Sequence, residues 1–188
     1  MIARMPLRVE KCALPEVLLI TPPVFADDRG FFLETYSERD FAVAGIVARF
    51  VQDNQSRSKR RVLRGLHYQL ENPQGKLVRV TRGKIFDVAA DIRAGSPSFG
   101  KWVGVVLDDD KKQALWIPPG FAHGFCVLSD DADVAYKATD FYAPSAERGV
   151  RWDDPLFGID WPVKDPILSD KDRNYALIEP TSDYLPKY

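Results

Sequence analysis

A chain of 188 residues with 26 basic and 27 acidic side chains carries a net charge of −1, which excludes general affinity for nucleic acid or an anionic membrane surface. Its 45% hydrophobic, 12% aromatic and 28% charged residues are the composition of a globular domain, not of a disordered or fibrous chain. About 70% of the unfolded surface is buried when a chain of this length folds, so one domain over residues 1–188 is expected, with no disulfide or structural metal to hold it.

Cys12 and Cys126 read as free thiols of a reducing compartment, and the expected location is the cytoplasm. Met1 to Pro15 has no apolar core of signal-peptide length and no stretch approaches 18 apolar residues, so no membrane crossing is expected.

Fourteen prolines and twelve glycines separate short runs rich in Val, Ile, Phe, Trp and Tyr, the spacing of an all-β chain. In chain order, strands are predicted at Val17–Ile20 and Gly30–Tyr36. A short helix follows, with Ser37 as N-cap, Asp40 three residues on, and Gly45 as its stop. Strands at Phe50–Asn54 and Val62–Gln69 come next. Lys76–Val80, the turn Arg82-Gly83-Lys84 and Ile85–Ile92 then read as a hairpin, with Phe86, Val88, Ala90 and Ile92 on one face and Ile85, Asp87, Ala89 and Asp91 on the other. Lys101–Leu107, Gln113–Ile117, Gly124–Leu128 and Val134–Thr139 are separated by segments of turn chemistry. About ten strands must manage their edges by closing or packing on themselves, which predicts a jelly-roll barrel. From Lys164 onward the Pro- and Asp-rich sequence reads as a segment that wraps the barrel.

Two histidines, His67 and His123, are the whole supply of imidazole. The His-x-His pair by which many jelly-roll enzymes hold a metal is absent, which argues against metal catalysis. Strand parity puts His67 on a face with Leu63 and Gln69. It is either a satisfied barrel histidine or a general base, and Arg64, Gln69 and Lys76 nearby favour the base. Alternation sends Arg64 to the other face, so either Gly65 forms a bulge that re-aims the strand or Arg64 acts elsewhere. Arg57, Lys59, Arg60, Arg61 and Arg64 form a basic run. Lys59 to Arg61 read as a solvated loop, and a phosphate patch is the alternative, since forked guanidinium donors match phosphate oxygens. Arg29, in Asp27-Asp28-Arg29-Gly30-Phe31-Phe32, adds a cation beside aromatics that suits a nucleotide. Tyr136 and Tyr142 share a parity, with Lys137 opposed. A tyrosine hydroxyl is a natural acid for quenching an enolate. His123, in an apolar setting, reads as structural, with Asp87 as a possible partner.

Several blocks in order now resemble the dTDP-4-dehydrorhamnose 3,5-epimerase family. They are Asp27–Phe32, Val51-Gln52-Asp53-Asn54-Gln55-Ser56, Leu63-Arg64-Gly65-Leu66-His67-Tyr68-Gln69, Gln74-Gly75-Lys76, Phe86-Asp87-Val88, Ser96–Trp102, Pro119–Phe125 and Leu168-Ser169-Asp170-Lys171-Asp172. The resemblance implies a cupin-type jelly roll with a few short helices, a homodimer, no metal and no cofactor. The implied substrate is dTDP-4-dehydro-6-deoxy-D-glucose, inverted at C3 and C5, both of which are acidified by the C4 ketone. On the family pattern His67 is the base and Asp172 its orienting carboxylate, with Asp170 as the nearby alternative. Lys76 stands at the developing oxyanion and Tyr136 is the acid on the opposite face. The resemblance further implies that Arg64 contacts sugar or diphosphate and that Arg29, Phe25, Glu34, Gln52 and Asn54 hold the nucleotide, some reaching a partner's site. Tyr142 would line the pocket, and His123 with Asp87 would be a buried supporting pair. The alternatives are an epimerase of one centre, C3 or C5, a non-catalytic barrel that binds a nucleotide sugar, and a metal-dependent cupin oxygenase.

Overall fold

The structure, a computed structural model, describes residues 6–188. The described residues form two facing sheets with strand orders β1-β2-β10-β7-β12-β5 and β13-β6-β11-β8-β9, and a separate two-stranded ribbon, β3-β4. The first sheet comprises β1 (Arg8–Lys11), β2 (Leu18–Thr21), β5 (Gln52–Lys59), β7 (Lys76–Arg82), β10 (Ala114–Ile117) and β12 (Asp131–Ala138). The second comprises β6 (Leu63–Gln69), β8 (Lys84–Asp91), β9 (Trp102–Asp108), β11 (Phe121–Val127) and β13 (Glu147–Gly149). The ribbon is β3 (Val24–Asp27) with β4 (Gly30–Leu33), and two short helices, α1 (Glu38–Val43) and α2 (Asp170–Arg173), complete the elements. This is the expected jelly roll. No helix among the described residues is long and apolar enough to cross a membrane.

Alternation along each strand divides the apolar residues between three layers. Val78, Val80, Ile85, Ala89, Leu107, Leu115, Phe121, Phe125, Ala132 and Val134 meet between the sheets. Leu63, Leu66, Tyr68, Val88, Ala90 and Ile92 point out of the second sheet and are covered by Phe157, Trp161 and Leu185, with Leu168 and Ile178 packed against them. The segment beyond Lys164 therefore wraps the barrel as expected, and it is anchored by bridges of Ile167 to Val62 and Lys187 to Ala94. Phe41, Ile46, Leu77 and Trp116 form the layer outside the first sheet.

Three expectations need correction. The run Lys76–Ile92 is not a hairpin, because β7 pairs with β10 and β12 while β8 pairs with β9 and β11. Gly83, at φ +80°, is a corner between the sheets, and a Cβ there would collide with the Asp131 carbonyl and the Ser129 hydroxyl. The predicted faces of β8 survive, since Ile85 and Ala89 enter the inner core while Val88, Ala90 and Ile92 enter the outer layer. The helix forms, but Ser37 makes no side-chain capping bond. Burial of Phe41 to 2% exposure against Tyr36 and Ile46 holds it instead. Finally, β5 runs on past Asn54 to Lys59, so Lys59 belongs to a strand rather than a loop.

Candidate active site

One end of the barrel interior is apolar and the other is polar. On the second sheet Gln69, His67 and Arg64 alternate with Tyr68 and Leu66, which pack outward. Leu63 also packs outward, so it does not share His67's face. The register of β6 against β11 slips by one residue between His67↔His123 and Arg64↔Phe125. The slip falls at Gly65, whose φ is +122° and whose absent Cβ would sit 2.8 Å from the His123 carbonyl. Of the two possibilities for Arg64, the bulge is therefore the one found, and it turns Arg64 to the side of His67, where Arg64 Nε donates to Ser58 Oγ at 2.9 Å.

His67 Nε2 lies 2.5 Å from Asp172 Oδ1. Asp172 is 3% exposed, in the single turn of α2, and its amide donates to Ser169 Oγ at 3.1 Å. Burial alone would raise its carboxyl, but the bond to His67 holds it below its ordinary value. Asp170 is exposed in the same turn and makes no such bond to His67. Tyr175 stands edge-on to His67 at 5.8 Å between ring centres, in space left by Gly149, which pairs with His67 in register.

Beside His67, His123 Nε2 is 2.7 Å from Asp87 Oδ1, and both residues are buried. The second oxygen of Asp87 has no hydrogen bond. Burial pushes the Lys76 ammonium down to about 8, against the opposing pull of Asp87 and Glu147. The same effect lowers His123, partly offset by Asp87. Across the barrel, Tyr136 on β12 is the register partner of Val78 and Asn54. Burial raises its phenol, as does Glu147, while Arg64 opposes.

The mouth holds a network that sequence reasoning did not find. Glu147 Oε2 accepts from Tyr142 at 2.6 Å and from Lys171 Nζ at 2.5 Å, and these bonds overcome burial to keep the carboxyl low. Lys171 adjoins the predicted Asp172, but nothing local to Glu147 marks it. Gln52 donates to Asn54 Oδ1 at 2.9 Å and accepts from the Tyr142 amide at 2.9 Å.

Arg29, Phe25 and Glu34 are not brought to this cluster. The β3–β4 ribbon pairs with no other described strand, Arg29 bonds Asp27, and Phe31 and Phe32 are 57% and 66% exposed. The basic run is largely absorbed by structure: Arg57 pairs with Asp133, Arg60 with Asp130, and Arg61 donates to the Asp165 carbonyl. Among the described residues no three His, Cys, Asp or Glu side chains converge as a metal-ligating group.

His67, Lys76 and Tyr136 thus gather around Glu147 at the polar end of the barrel. The sequence profile described as dTDP-4-dehydrorhamnose 3,5-epimerase matches residues 11–179. A dTDP-4-dehydrorhamnose 3,5-epimerase of Pseudomonas aeruginosa is 57% identical over 169 residues, 89% of this chain and 93% of that protein. A crystal structure of the dTDP-6-deoxy-D-glucose-3,5-epimerase of Legionella pneumophila, in complex with dTDP-4-keto-L-rhamnose, superposes with a TM-score of 0.92 at 49% identity, covering 97% of this chain and 98% of that one. A dTDP-4-dehydrorhamnose 3-epimerase of Streptomyces niveus is 41% identical over 186 residues, 97% of this chain and 90% of that protein. The chain belongs to the dTDP-4-dehydrorhamnose 3,5-epimerase family.

Proposed function

We propose that the protein inverts C3 and C5 of dTDP-4-dehydro-6-deoxy-D-glucose, giving dTDP-4-dehydro-L-rhamnose. The observation that supports this is that His67 lies on β6 of the second sheet and Tyr136 on β12 of the facing first sheet, both within electrostatic reach of Glu147. Inversion requires a proton to leave one face of the sugar and another to arrive on the opposite face, and facing walls supply that.

His67 donates Nε2–H to Asp172, which leaves Nδ1 to take the proton from the carbon beside the ketone. The electron pair of the broken C–H bond moves to O4, and Lys76 stabilises the enolate there in a site of low dielectric. Tyr136 then gives its hydroxyl proton to the same carbon from the other face, the C4 ketone reforms, and solvent restores both side chains. Its phenol, held protonated by burial, suits that role. The buried Asp87–His123 pair supports Lys76 from behind. Arg64, exposed at the mouth, contacts sugar or diphosphate, with Tyr142, Gln52 and Asn54 around the nucleotide.

We further propose a homodimer in which Arg29, Phe25 and Glu34 complete the partner's nucleotide site. The unpaired ribbon with its exposed Phe31 and Phe32 supports this reading. The free thiols of Cys12 and Cys126 support a cytoplasmic location. The simultaneous presence of His67, Lys76, Tyr136 and Asp172 favours an enzyme over a binding module, which needs no base, acid and oxyanion cation together.

His67→Ala is the test. Turnover should vanish with circular dichroism and thermal midpoint unchanged, whereas near-normal epimerisation by the variant would remove the reading.

A further inference from the structure

The turn beyond β12 carries Tyr142 to the barrel mouth without any ladder hydrogen bonds to hold it. Four successive backbone groups of this turn are instead held by three glutamine side chains. Gln74 Nε2 donates to the Asp140 carbonyl at 2.9 Å and Gln69 Nε2 to the Phe141 carbonyl at 3.0 Å. The Tyr142 amide donates to Gln52 Oε1 at 2.9 Å and the Ala143 amide to Gln69 Oε1 at 2.9 Å. The three amides come from β5, β6 and the β6–β7 loop, so the grip spans both sheets.

We propose that Gln52, Gln69 and Gln74 form an amide clamp whose function is to position the Tyr142 ring against the bound nucleotide diphosphate, which makes them positioning residues for affinity rather than for the chemical step. This rests on the reading of Tyr142 as a wall of the substrate pocket given above.

Gln69 is 5% exposed and fully committed, since Nε2 also donates to the Asn72 carbonyl at 2.8 Å. Both N–H donors of Gln69 are thus engaged with backbone carbonyls, which leaves it none to give a ligand. Gln52 holds the Tyr142 amide while its Nε2 donates to Asn54 Oδ1, and its second N–H stays available to the nucleotide. The residues flanking Tyr142 are held on both sides while its ring stays 51% exposed, the arrangement of a fixed backbone presenting a side chain. Its hydroxyl, bonded to Glu147, restrains the ring from the other end.

The clamp predicts coupling between Gln69 and Tyr142 that mere satisfaction of the backbone would not produce. Steady-state kinetics with dTDP-4-dehydro-6-deoxyglucose and calorimetric titration with dTDP are measured for wild type, Gln69→Leu, Gln69→Glu, Gln74→Met and Tyr142→Ala. Gln69→Leu and Gln74→Met are each repeated in the Tyr142→Ala background. Gln69→Leu should raise KM and the dTDP Kd about tenfold with kcat within about threefold, and should add less than about twofold once Tyr142 is absent. Gln69→Glu keeps the acceptor for Ala143 but sets a carboxylate oxygen against the Asn72 and Phe141 carbonyls, so it should lose at least as much affinity as Gln69→Leu. Should Gln69→Leu fail to fold, Gln74→Met loses one bond only and provides the same comparison at smaller scale. Equal factors in both backgrounds, or a fall in kcat at unchanged KM and Kd, would overturn the clamp. A wild type that binds dTDP yet epimerises nothing would defeat the reaction proposed above while the dTDP affinities still judge the clamp.

Discussion

Lys76 offers the sharpest quantitative consequence of the site. Its ammonium lies among Asp87, Glu147 and His123, and burial brings its proton affinity from 10.5 down to about 8. That lowering corresponds to about 3 kcal/mol by which the folded interior disfavours the charge. In the proposed mechanism an enolate oxygen forming beside it offsets the penalty at the moment of reaction, which is how a cation held in a site of low dielectric would assist the transition state more than the ground state. The active form is the protonated one, so it dominates below about 8 and is lost as the pH rises. About nine-tenths of Lys76 is charged at pH 7 and about one-tenth at pH 9, so kcat/KM should fall about tenfold across that interval. Tyr136 and Tyr142 are both raised above 10 and do not titrate there. Lys76→Met should lose about a hundredfold to a thousandfold in kcat and lose the alkaline limb with it. The assay is the pH dependence of kcat/KM for both proteins, followed by trapping the product with a 4-ketoreductase. A wild-type profile flat to pH 9.5, or an alkaline limb that persists in Lys76→Met, would refute the reasoning.

Three further outcomes follow from the geometry. Tyr136→Phe should still exchange the substrate's α-proton with solvent but fail to invert, as read by deuterium entry without L-configured product. Gly149→Ala places a methyl group in the Tyr175 ring, which must move against His67, so kcat should fall about tenfold to a hundredfold at little cost in the thermal midpoint of the fold. Asp91 is buried under hydrogen bonds from Arg93, Ser96 and Ser98, and although burial alone would raise its carboxyl, those bonds hold it down to about 2. Asp91→Asn should cost about 3–5 kcal/mol in urea unfolding at pH 7. Because the native carboxyl is depressed, this contribution is complete above its ordinary value of 3.8 and shrinks as the pH falls towards 2.

The strands of the barrel interior were legible because one face of each is apolar. Ile85 and Ala89 alternate with Phe86 and Val88, and both sets are buried in the predicted layers. β5 was half missed for the opposite reason. Gln52–Lys59 has no apolar residue, because one face looks into the polar mouth and the other towards solvent at a sheet edge. Which strands pair was not local information: Lys76–Ile92 has the pattern of a hairpin, and only the competing partners β10, β11 and β12 divide it between two sheets. His67 and Asp172, 105 residues apart, were placed together through resemblance, since no periodicity spans that distance. Glu147 escaped notice because its three-residue strand Glu147–Gly149 is too short to show an alternation, and its meaning lies in Tyr142 and Lys171.

The most direct test of the central claim is incubation with dTDP-4-dehydro-6-deoxyglucose in deuterated water, with NMR following C3 and C5. Deuterium at both carbons, appearing with an L-configured product and abolished in His67→Ala, is the predicted result. Deuterium at only one carbon would make this an epimerase of a single centre, and deuterium at neither would contradict the proposed chemistry.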